Sequence, residues 1–210
     1  MSRHPAPRPY HHGNLREALI DAATALLASH GAEGFGLRDV ARAAGVSHAA
    51  PYHHFASHED LLAAVAERGF DALAGAMTAA ATQPAATPRE ALLAINDAYV
   101  GFACRQPALF RLMFGPLLAR GEQFPALRQT AERSFTVLMQ AAQGFDAEQG
   151  ALLGLAGWSL AHGLASLAID GALAALPMAT PPAERLARLL AERLLPATPP
   201  ALAGPAGTQR

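Results

Sequence analysis

The sequence predicts an all-α fold, with an N-terminal three-helix helix-turn-helix unit followed by a larger helical body. Hydrophobic residues make up 51% of the 210 residues, and aromatic residues only 6%. Ala and Leu dominate the hydrophobic set, so the chain is rich in strong helix formers and poor in the β-branched residues that strands favour. Proline-rich segments at 1–9, 83–88 and 196–205 punctuate the chain. This length suits one small module and one larger one.

The small unit is expected over residues 14–60, after a flexible arm at residues 1–13. Asn14 can cap the first helix, whose apolar residues recur at spacings of three and four, and Gly31 can end it. Helices are expected here at about residues 15–30, 37–44 and 47–55.

The larger unit is expected over residues 61–195, before a disordered tail at 196–210. Ser57 and Asp60 form a capping pattern that opens a long helix reaching about Ala81. Further helices are expected at about residues 88–105, 107–114, 124–144, 147–173 and 182–194.

The segment from Leu37 to Phe55 has the pattern of two short helices joined by a tight turn. One face of the first helix is apolar and consists of Leu37, Val40, Ala41 and Ala44. Gly45 permits the positive φ of a tight turn, Val46 fills the angle between the helices, and Ser47 can cap the second helix. That helix begins with His48, Ala49 and Ala50, where small side chains let its N-terminus approach a DNA major groove.

These residues resemble the TetR family of regulators. The family motif runs AGVS, three variable residues, a hydrophobic residue, Tyr, any residue, His, Phe, and then a Lys-Glu-x-Leu element. The matching residues are Ala44, Gly45, Val46, Ser47, Tyr52, His54, Phe55, Glu59 and Leu61. The body resembles one branch of the family through PALFRLMFG at 107–115 and through Trp158, His162 and Gly163. The resemblance implies a one-component transcriptional regulator with a DNA-binding head and a ligand-binding and dimerisation body.

Two positions depart from the family motif. Pro51 stands where the family has Leu or a similar residue, so the recognition helix must start late enough to place Pro in its first turn. His58 replaces the usual Lys. In the family, the Tyr and this Lys contact phosphates, so the resemblance gives that role to Tyr52 and His58, the latter fully charged only below about pH 6.5.

The residues expected to contact double-stranded operator DNA are Arg38, Ser47, His48, Ala49, Ala50, Tyr52, His53, His54 and His58. The formal net charge is −1, all 16 basic residues are Arg, and eight of the nine His fall within the first 58 residues. We therefore expect operator affinity to rise as the pH falls from about 8 to 6. For the arm, with Arg3, Arg8, His11 and His12, contact with DNA and simple disorder are both open.

A ligand pocket in the body is expected from aromatic and polarisable side chains. Its candidate lining is Cys104, Phe110, Met113, Phe114, Phe135, Met139, Trp158 and His162. Trp158 and His162 are four residues apart, on one helix face. This set could enclose a mostly apolar small-molecule effector with one polar anchor, although core packing alone also explains the Phe and Met residues.

The last two long helices are expected to form a homodimer. Apolar residues cover more than one face of 147–173 and 182–194, and small residues such as Gly154 and Gly157 permit close helix approach. By resemblance, these helices form a four-helix bundle with their symmetry mates. The apolar stretch 151–169 is nearly long enough for a membrane span, but Trp158 and His162 within it favour a buried or dimer-interface helix.

Other classes of protein are less favoured. His54 and His58 lie on different predicted helices, so neither a metal nor another cofactor is expected. The GWSLA sequence at 157–161 lacks the second Gly of a nucleophile elbow. Cys104 is expected to be a buried, unreactive thiol. No enzyme is therefore expected. A helical interaction protein that does not bind DNA is the remaining alternative. With one Cys and a polar N-terminus, the protein is expected in the cytoplasm, with repression implied at the family level.

Overall fold

The computed structural model of the protein describes residues 15–83 and 87–195. The arm expected at 1–13, the capping residue Asn14 and the tail expected at 196–210 lie outside the described residues. Within the described ranges the secondary structure is helical and contains no strand, which confirms the all-α prediction.

The N-terminal head consists of α1 (Leu15–His30), α2 (Leu37–Ala43) and a short 3₁₀ helix (Ala50–His53). Helix α1 ends at Gly31, which has φ +71° and donates its N–H to the Leu27 carbonyl at 3.0 Å. Leu19, Ala23 and Leu27 are buried at four-residue spacing, so one face of α1 packs into the core.

The body contains the remaining helices in chain order. They are α3 (His58–Ala81), α4 (Pro88–Arg105), α5 (Pro107–Met113), α6 (Pro116–Ala119), α7 (Pro125–Phe145), α8 (Gly150–Ile169) and α9 (Ala183–Leu194). Helices α3, α4 and α7 pack on one another, and α8 and α9 cover α4 from the other side. An ion pair between Arg188 and Asp97, at 3.0 Å, also joins α9 to α4.

Helix α3 belongs to both the head and the body. The Ser57 hydroxyl accepts the Asp60 N–H at 3.1 Å, which confirms the predicted cap. All six residues from Leu61 to Ala66 are buried, and α3 packs against α1 of the head and against α4, α5 and α7 of the body. The boundary expected between residues 60 and 61 therefore falls within the first turn of a continuous helix.

The recognition helix expected at 47–55 is wrong in extent. The chain forms a single 3₁₀ turn at Ala50–His53, and the Ser47 side chain caps no helix. Pro51 explains this, because in an α-helix capped by Ser47 its nitrogen would have to donate to the Ser47 carbonyl, and proline has no N–H. In the observed turn, the residues on either side of Pro51 donate instead. The Ala50 N–H donates to the Ser47 carbonyl at 3.0 Å, and the Tyr52 N–H donates to the Ala49 carbonyl at 3.2 Å.

Two other boundaries differ from the sequence prediction. The helix expected at 147–173 spans only Gly150–Ile169. A side-chain turn precedes it, in which Asp146 Oδ1 accepts the N–H groups of Glu148 and Gln149 at 3.0 and 2.9 Å. Beyond its end, Gly171 adopts φ +75°, a conformation that α-helices do not continue through. The prediction also missed α6, a four-residue helix that begins at Pro116.

Helix α8 is long and apolar enough to cross a membrane by length and composition, with a mean hydropathy of 1.5. Only 22% of the most apolar 18-residue stretch of this helix is buried in the protomer. Its inner side packs on α4 and α7, and its other side carries exposed leucines, with Leu152 at 67% exposure. A minor part of this helix is thus core, and its outer side is an apolar face without a partner in the described chain.

Candidate functional site

The turn between α2 and the 3₁₀ helix is built around Gly45. This residue has φ +70°, as expected, and its N–H donates to the Arg42 carbonyl at 3.1 Å. Val46 follows and donates its N–H to the Ala41 carbonyl at 2.9 Å, with its side chain packed against the core. The two bonds close a tight turn between α2 and the segment that follows it.

The segment after this turn presents a row of exposed side chains. Ser47, His48 and Ala49 are exposed, and Ala50 is partly buried. Pro51 is buried and anchors the turn, whereas the next residue, Tyr52, is 54% exposed. The structure therefore keeps these predicted contact residues on one accessible turn, although not on the α-helix that was expected.

Charged and titratable groups surround this turn. His53 and His54 are exposed, and Arg38 on α2 is exposed and makes no ion pair within the described chain. Arg42 on the same helix is held by Asp39 at 3.0 Å. Arg38 thus has no counter-ion among the described residues, while Asp39 neutralises Arg42.

His58 lies in a different environment from the other predicted contact residues. Its ring packs edge-on against Phe35, with centroids 5.1 Å apart, and its Nε2 is enclosed without a hydrogen-bond partner in the described chain. Burial lowers the pKa of His58, and the nearby Glu59 carboxylate opposes this only in part. His58 therefore stays neutral to lower pH than an exposed histidine, and His54, as expected, lies on a separate element.

A second cluster joins the start of α3 to the body. Arg120, just after α6, donates to both carboxylate oxygens of Glu59 at 2.7 and 3.0 Å. Its guanidinium also lies over the Phe124 ring, 5.4 Å from the centroid. This bidentate pair lowers the pKa of Glu59 and ties the first turn of α3 to the loop that follows α6.

A cavity of about 610 Å³ lies in the body between α3, α4, α7 and α8. Its wall is mainly apolar and aromatic. The lining residues are Phe70, Leu73, Met77, Tyr99, Phe114, Leu118, Arg128, Ala131, Glu132, Ser134, Phe135, Leu138, Trp158 and His162. Such a volume and lining are typical of a small-molecule site.

Four of the eight residues predicted for a ligand pocket line this cavity: Phe114, Phe135, Trp158 and His162. The other four, Cys104, Phe110, Met113 and Met139, are not among its lining residues. Phe110 and Met113 are core residues, and Met113 packs against Gly69 of α3. Met139 faces Gly154 of α8 instead of the cavity.

Helix geometry explains why Cys104 does not line the cavity. It follows the lining residue Tyr99 by five positions on α4, which rotates it by about 140° from the cavity side at 100° per residue. Its thiol is half-buried, and burial raises its pKa. This environment favours an unreactive thiol.

The sequence prediction missed the contribution of α3 and α4 to the cavity. Phe70, Leu73 and Met77 form a stripe at helical spacing on α3, and Tyr99 lies on α4. The stripe was visible in the sequence as helix periodicity, but that pattern also describes any core-facing helix. Only the tertiary arrangement shows that these three side chains border the cavity.

Tyr99, Trp158 and His162 form the polar part of the cavity wall. The Tyr99 hydroxyl and His162 Nδ1 are 2.8 Å apart, and the centroids of the Trp158 and His162 rings are 5.5 Å apart. Burial lowers the pKa of His162 and raises that of Tyr99 well above its usual value. Both groups are therefore uncharged near neutral pH.

Charged side chains occur only at the edge of the described cavity wall. Arg128 and Glu132, one helical turn apart on α7, are both more than half exposed and face each other at 3.7 Å. Their charges compensate each other, so the edge adds little net charge to the cavity.

Two family models match this chain. Residues 19–65 match the description "Bacterial regulatory proteins, tetR family", and residues 92–194 match "Tetracyclin repressor-like, C-terminal domain". The first covers α1 through the start of α3, and the second covers α4 to α9. Together they account for most of the described chain.

Individual relatives agree with these matches. The HTH-type transcriptional regulator BetI of Rhizobium meliloti (strain 1021) is 39% identical over 83 residues, which is 38% of this chain and 39% of that protein. The matched part therefore spans well under half of that relative. A solved structure of a protein with unknown function from Rhodococcus sp. RHA1 has a TM-score of 0.77 at 31% identity, covering 90% of this chain and 97% of the other.

More distant structures share the fold. The TetR family transcriptional regulator PfmR from Thermus thermophilus has a TM-score of 0.63 at 23% identity, with 84% of this chain and 96% of that chain covered. The fatty acid degradation regulator FadR from Bacillus halodurans has a TM-score of 0.67 at 15% identity, with 90% and 98% covered. From the head motif, the body fold and both family models, the chain belongs to the TetR family and is a DNA-binding transcriptional regulator.

Proposed function

We propose that the protein is a cytoplasmic one-component repressor. Its homodimer binds a pseudo-palindromic operator and is released when a small molecule occupies the cavity of the body. The observation that carries this proposal is that one helix, α3, begins beside the exposed turn and lines the cavity about four turns later. A single element thus contacts both proposed sites, as coupling between two equilibria requires.

The exposed turn supplies most of the proposed operator contacts, with Arg38 of α2 and His58 at the start of α3 completing the set. The proposed set is Arg38, Ser47, His48, Ala49, Ala50, Tyr52, His53, His54 and His58. Arg38 and Tyr52 are its strongest members, because one is a cation with no ion pair in the described chain and the other an exposed phenol beside a buried anchor. Such groups suit phosphate contacts, which set register, while the small residues before Pro51 allow close approach to base edges.

A homodimer is proposed from the unpaired face of α8 and α9. Exposed leucines line both helices, namely Leu152, Leu155 and Leu167 on α8 and Leu189, Leu190 and Leu194 on α9. A monomeric soluble protein seldom exposes so many large apolar side chains together. A twofold axis through this face would present two heads to DNA about 34 to 36 Å apart, or slightly further.

DNA binding is tested with the full-length protein and the DNA upstream of its own coding sequence. Fluorescence anisotropy at fixed salt should give saturable binding that tolerates excess nonspecific competitor. Tyr52→Phe should weaken binding about 5- to 10-fold if the hydroxyl bonds a phosphate, the size of one hydrogen bond. The control is Thr136→Val, which removes an exposed hydroxyl from α7 in the body and should leave the affinity unchanged.

Two results would count against the proposal. Loss of competitor resistance in the wild type would indicate a helical protein that does not read DNA. Equal affinity for Tyr52→Phe and wild type would remove Tyr52 from the contact set while leaving the other residues to be tested in the same assay.

A further inference from the structure

The cavity carries one polar constellation whose donors and acceptors can be assigned. Trp158 and His162 are four residues apart on α8 and face Tyr99 of α4 across the cavity wall. The side chain of Tyr99 is almost fully buried and lies 2.8 Å from His162 Nδ1. Phe110 and Phe114 pack around the imidazole, with ring centroids 5.4 and 4.6 Å away.

The direction of the hydrogen bond between Tyr99 and His162 follows from the burial of the phenol. In the described chain the one hydrogen-bond partner of the buried Tyr99 hydroxyl is His162 Nδ1, at 2.8 Å. If Nδ1 donated, the buried Tyr99 O–H would be left without an acceptor, so Tyr99 donates and Nδ1 accepts. A neutral histidine that accepts at Nδ1 carries its proton on Nε2. In the described chain no other group bonds this Nε2, so the ring offers one N–H donor at the cavity wall.

The cavity provides little to stabilise a charged molecule. Its ionisable lining residues among those described are Tyr99, His162, Arg128 and Glu132. The first two are uncharged near neutral pH, and the last two face each other at the exposed edge. An anion placed among the aromatic rings would lose its hydration without gaining a cationic partner, which costs several kcal/mol, and a cation would meet no carboxylate among the described lining residues inside that edge.

We propose that the cavity binds an uncharged, mainly apolar molecule whose hydrogen-bond acceptor, such as a carbonyl oxygen, is held by the Nε2–H of His162. Tyr99 is a positioning residue that fixes the tautomer of His162, and the Trp158 ring packs beside the imidazole in the cavity wall. This inference rests on the proposed function of the cavity as the effector site and specifies the class of effector.

The experiment uses the full chain and a fluorescent aryl ketone, a propionyl-substituted dimethylaminonaphthalene. Two matched probes have a propyl group or a carboxylate in place of the propionyl group. Trp158 is the only Trp of the chain and lines the cavity, so quenching of its emission by energy transfer to the naphthalene reports binding at this site. Dissociation constants for all three probes are measured without DNA.

The expected order of affinity is ketone, then propyl compound, then carboxylate. His162→Phe should weaken the ketone about tenfold, as the loss of one buried hydrogen bond predicts, and should change the propyl compound less than about twofold. His162→Gln keeps an N–H donor and should recover part of the ketone affinity. Tyr99→Phe should weaken the ketone selectively, and by less than His162→Phe, since the donor remains but its tautomer is no longer fixed.

Three results would overturn the inference: a carboxylate that binds more tightly than the ketone, equal losses for ketone and propyl compound in His162→Phe, or no ketone binding by folded wild type. His162→Gln serves as the second variant if His162→Phe unfolds. Operator binding without probe tests the proposed function separately. A ketone that binds but does not release DNA would contradict the effector mechanism and leave the ligand class standing.

Discussion

Four histidines near the start of α3 have different surroundings although they lie within eleven residues. His48, His53 and His54 are exposed, whereas His58 is half-buried beside Phe35 with its Nε2 enclosed. A cation that neutralises a phosphate must reach solvent and the DNA surface, which the first three can do. The expected pH dependence of operator affinity therefore depends on these exposed histidines more than on His58.

We predict that replacing the three exposed histidines with Gln removes the rise in operator affinity as pH falls from about 8 to 6, because Gln, unlike histidine, cannot bind a proton beside the DNA. The matched single variant His58→Gln should keep the rise. Anisotropy titrations at constant ionic strength measure both. A flat profile in the wild type would contradict the electrostatic role of this cluster.

A second prediction at this scale concerns stability. Burial lowers the pKa of His58 in the folded state, so between that value and the unfolded value of about 6.5 the unfolded chain binds more protons. Stability is therefore present above about pH 6.5 and is lost as the pH falls below it. His162 acts in the same direction, because burial lowers its pKa as well.

Thermal melts of wild type and His58→Phe across about pH 7.5 to 5.5 test this account. The wild-type Tm should fall with pH, and the variant should lose part of that fall, because Phe retains the ring contact and cannot bind a proton. Exposed His53→Gln is the control and should follow the wild type. Parallel curves for all three proteins would show that His58 is not protonated on unfolding in this range.

At the scale of elements, local signals located most helices. Pro88 and Pro107 each begin a helix as predicted, and the Ser57 cap is confirmed. These signals succeed because they act within one helical turn. The predicted extent of the recognition helix was wrong for a local reason too. Pro51 has no N–H to donate to the Ser47 carbonyl, so the α-helix does not form and the chain makes a 3₁₀ turn instead.

The cavity could be predicted only in part, because its wall is a tertiary property. Trp158 and His162 were found from their four-residue spacing on one helix. Tyr99 and the α3 stripe come from distant parts of the chain, and no spacing relates them to α8. Met139 was misassigned because α7 turns its side chain toward Gly154 instead.

The turn at Gly45 gives a prediction for stability. Its φ of +70° is unfavourable for any residue with a Cβ, so Gly45→Ala should cost about 1 to 2 kcal/mol although the added carbon would meet no atom within 4 Å. The matched control is Gly75→Ala in α3, equally open but helical, which should stabilise by up to about 1 kcal/mol. Denaturant titrations measure both, and a destabilised Gly75→Ala would undermine the helix argument.

At the scale of the whole molecule, the protomer leaves an apolar face uncovered. The outer sides of α8 and α9 carry large aliphatic side chains, while their inner sides pack on α4. Such a face requires a partner in water. In the proposed homodimer, a second copy of the chain would cover this face with the symmetry that a pseudo-palindromic operator would match.

We predict that Leu152→Glu combined with Leu155→Glu produces a folded monomer, because four carboxylates would be buried across a twofold interface at a cost of several kcal/mol. Light scattering after size-exclusion chromatography measures the mass. Met178→Glu, as exposed as Leu152 but on the loop after α8, is the control and should stay dimeric. A double variant that remains dimeric would place the interface elsewhere.

The continuity of α3 makes it a lever arm between the two halves of the protomer. Fifteen residues separate His58 from Leu73, a length of about 22 Å at 1.5 Å per residue. A tilt of about 5° around the Leu73 end would carry the His58 end sideways by about 2 Å, since a rigid rod converts angle into distance in proportion to its length. Hydrogen bonds to base edges and phosphates fail over less than that displacement. In the proposed mechanism, a ligand would therefore need to shift the packing of Leu73 and Met77 only slightly to disengage a head more than four helical turns away.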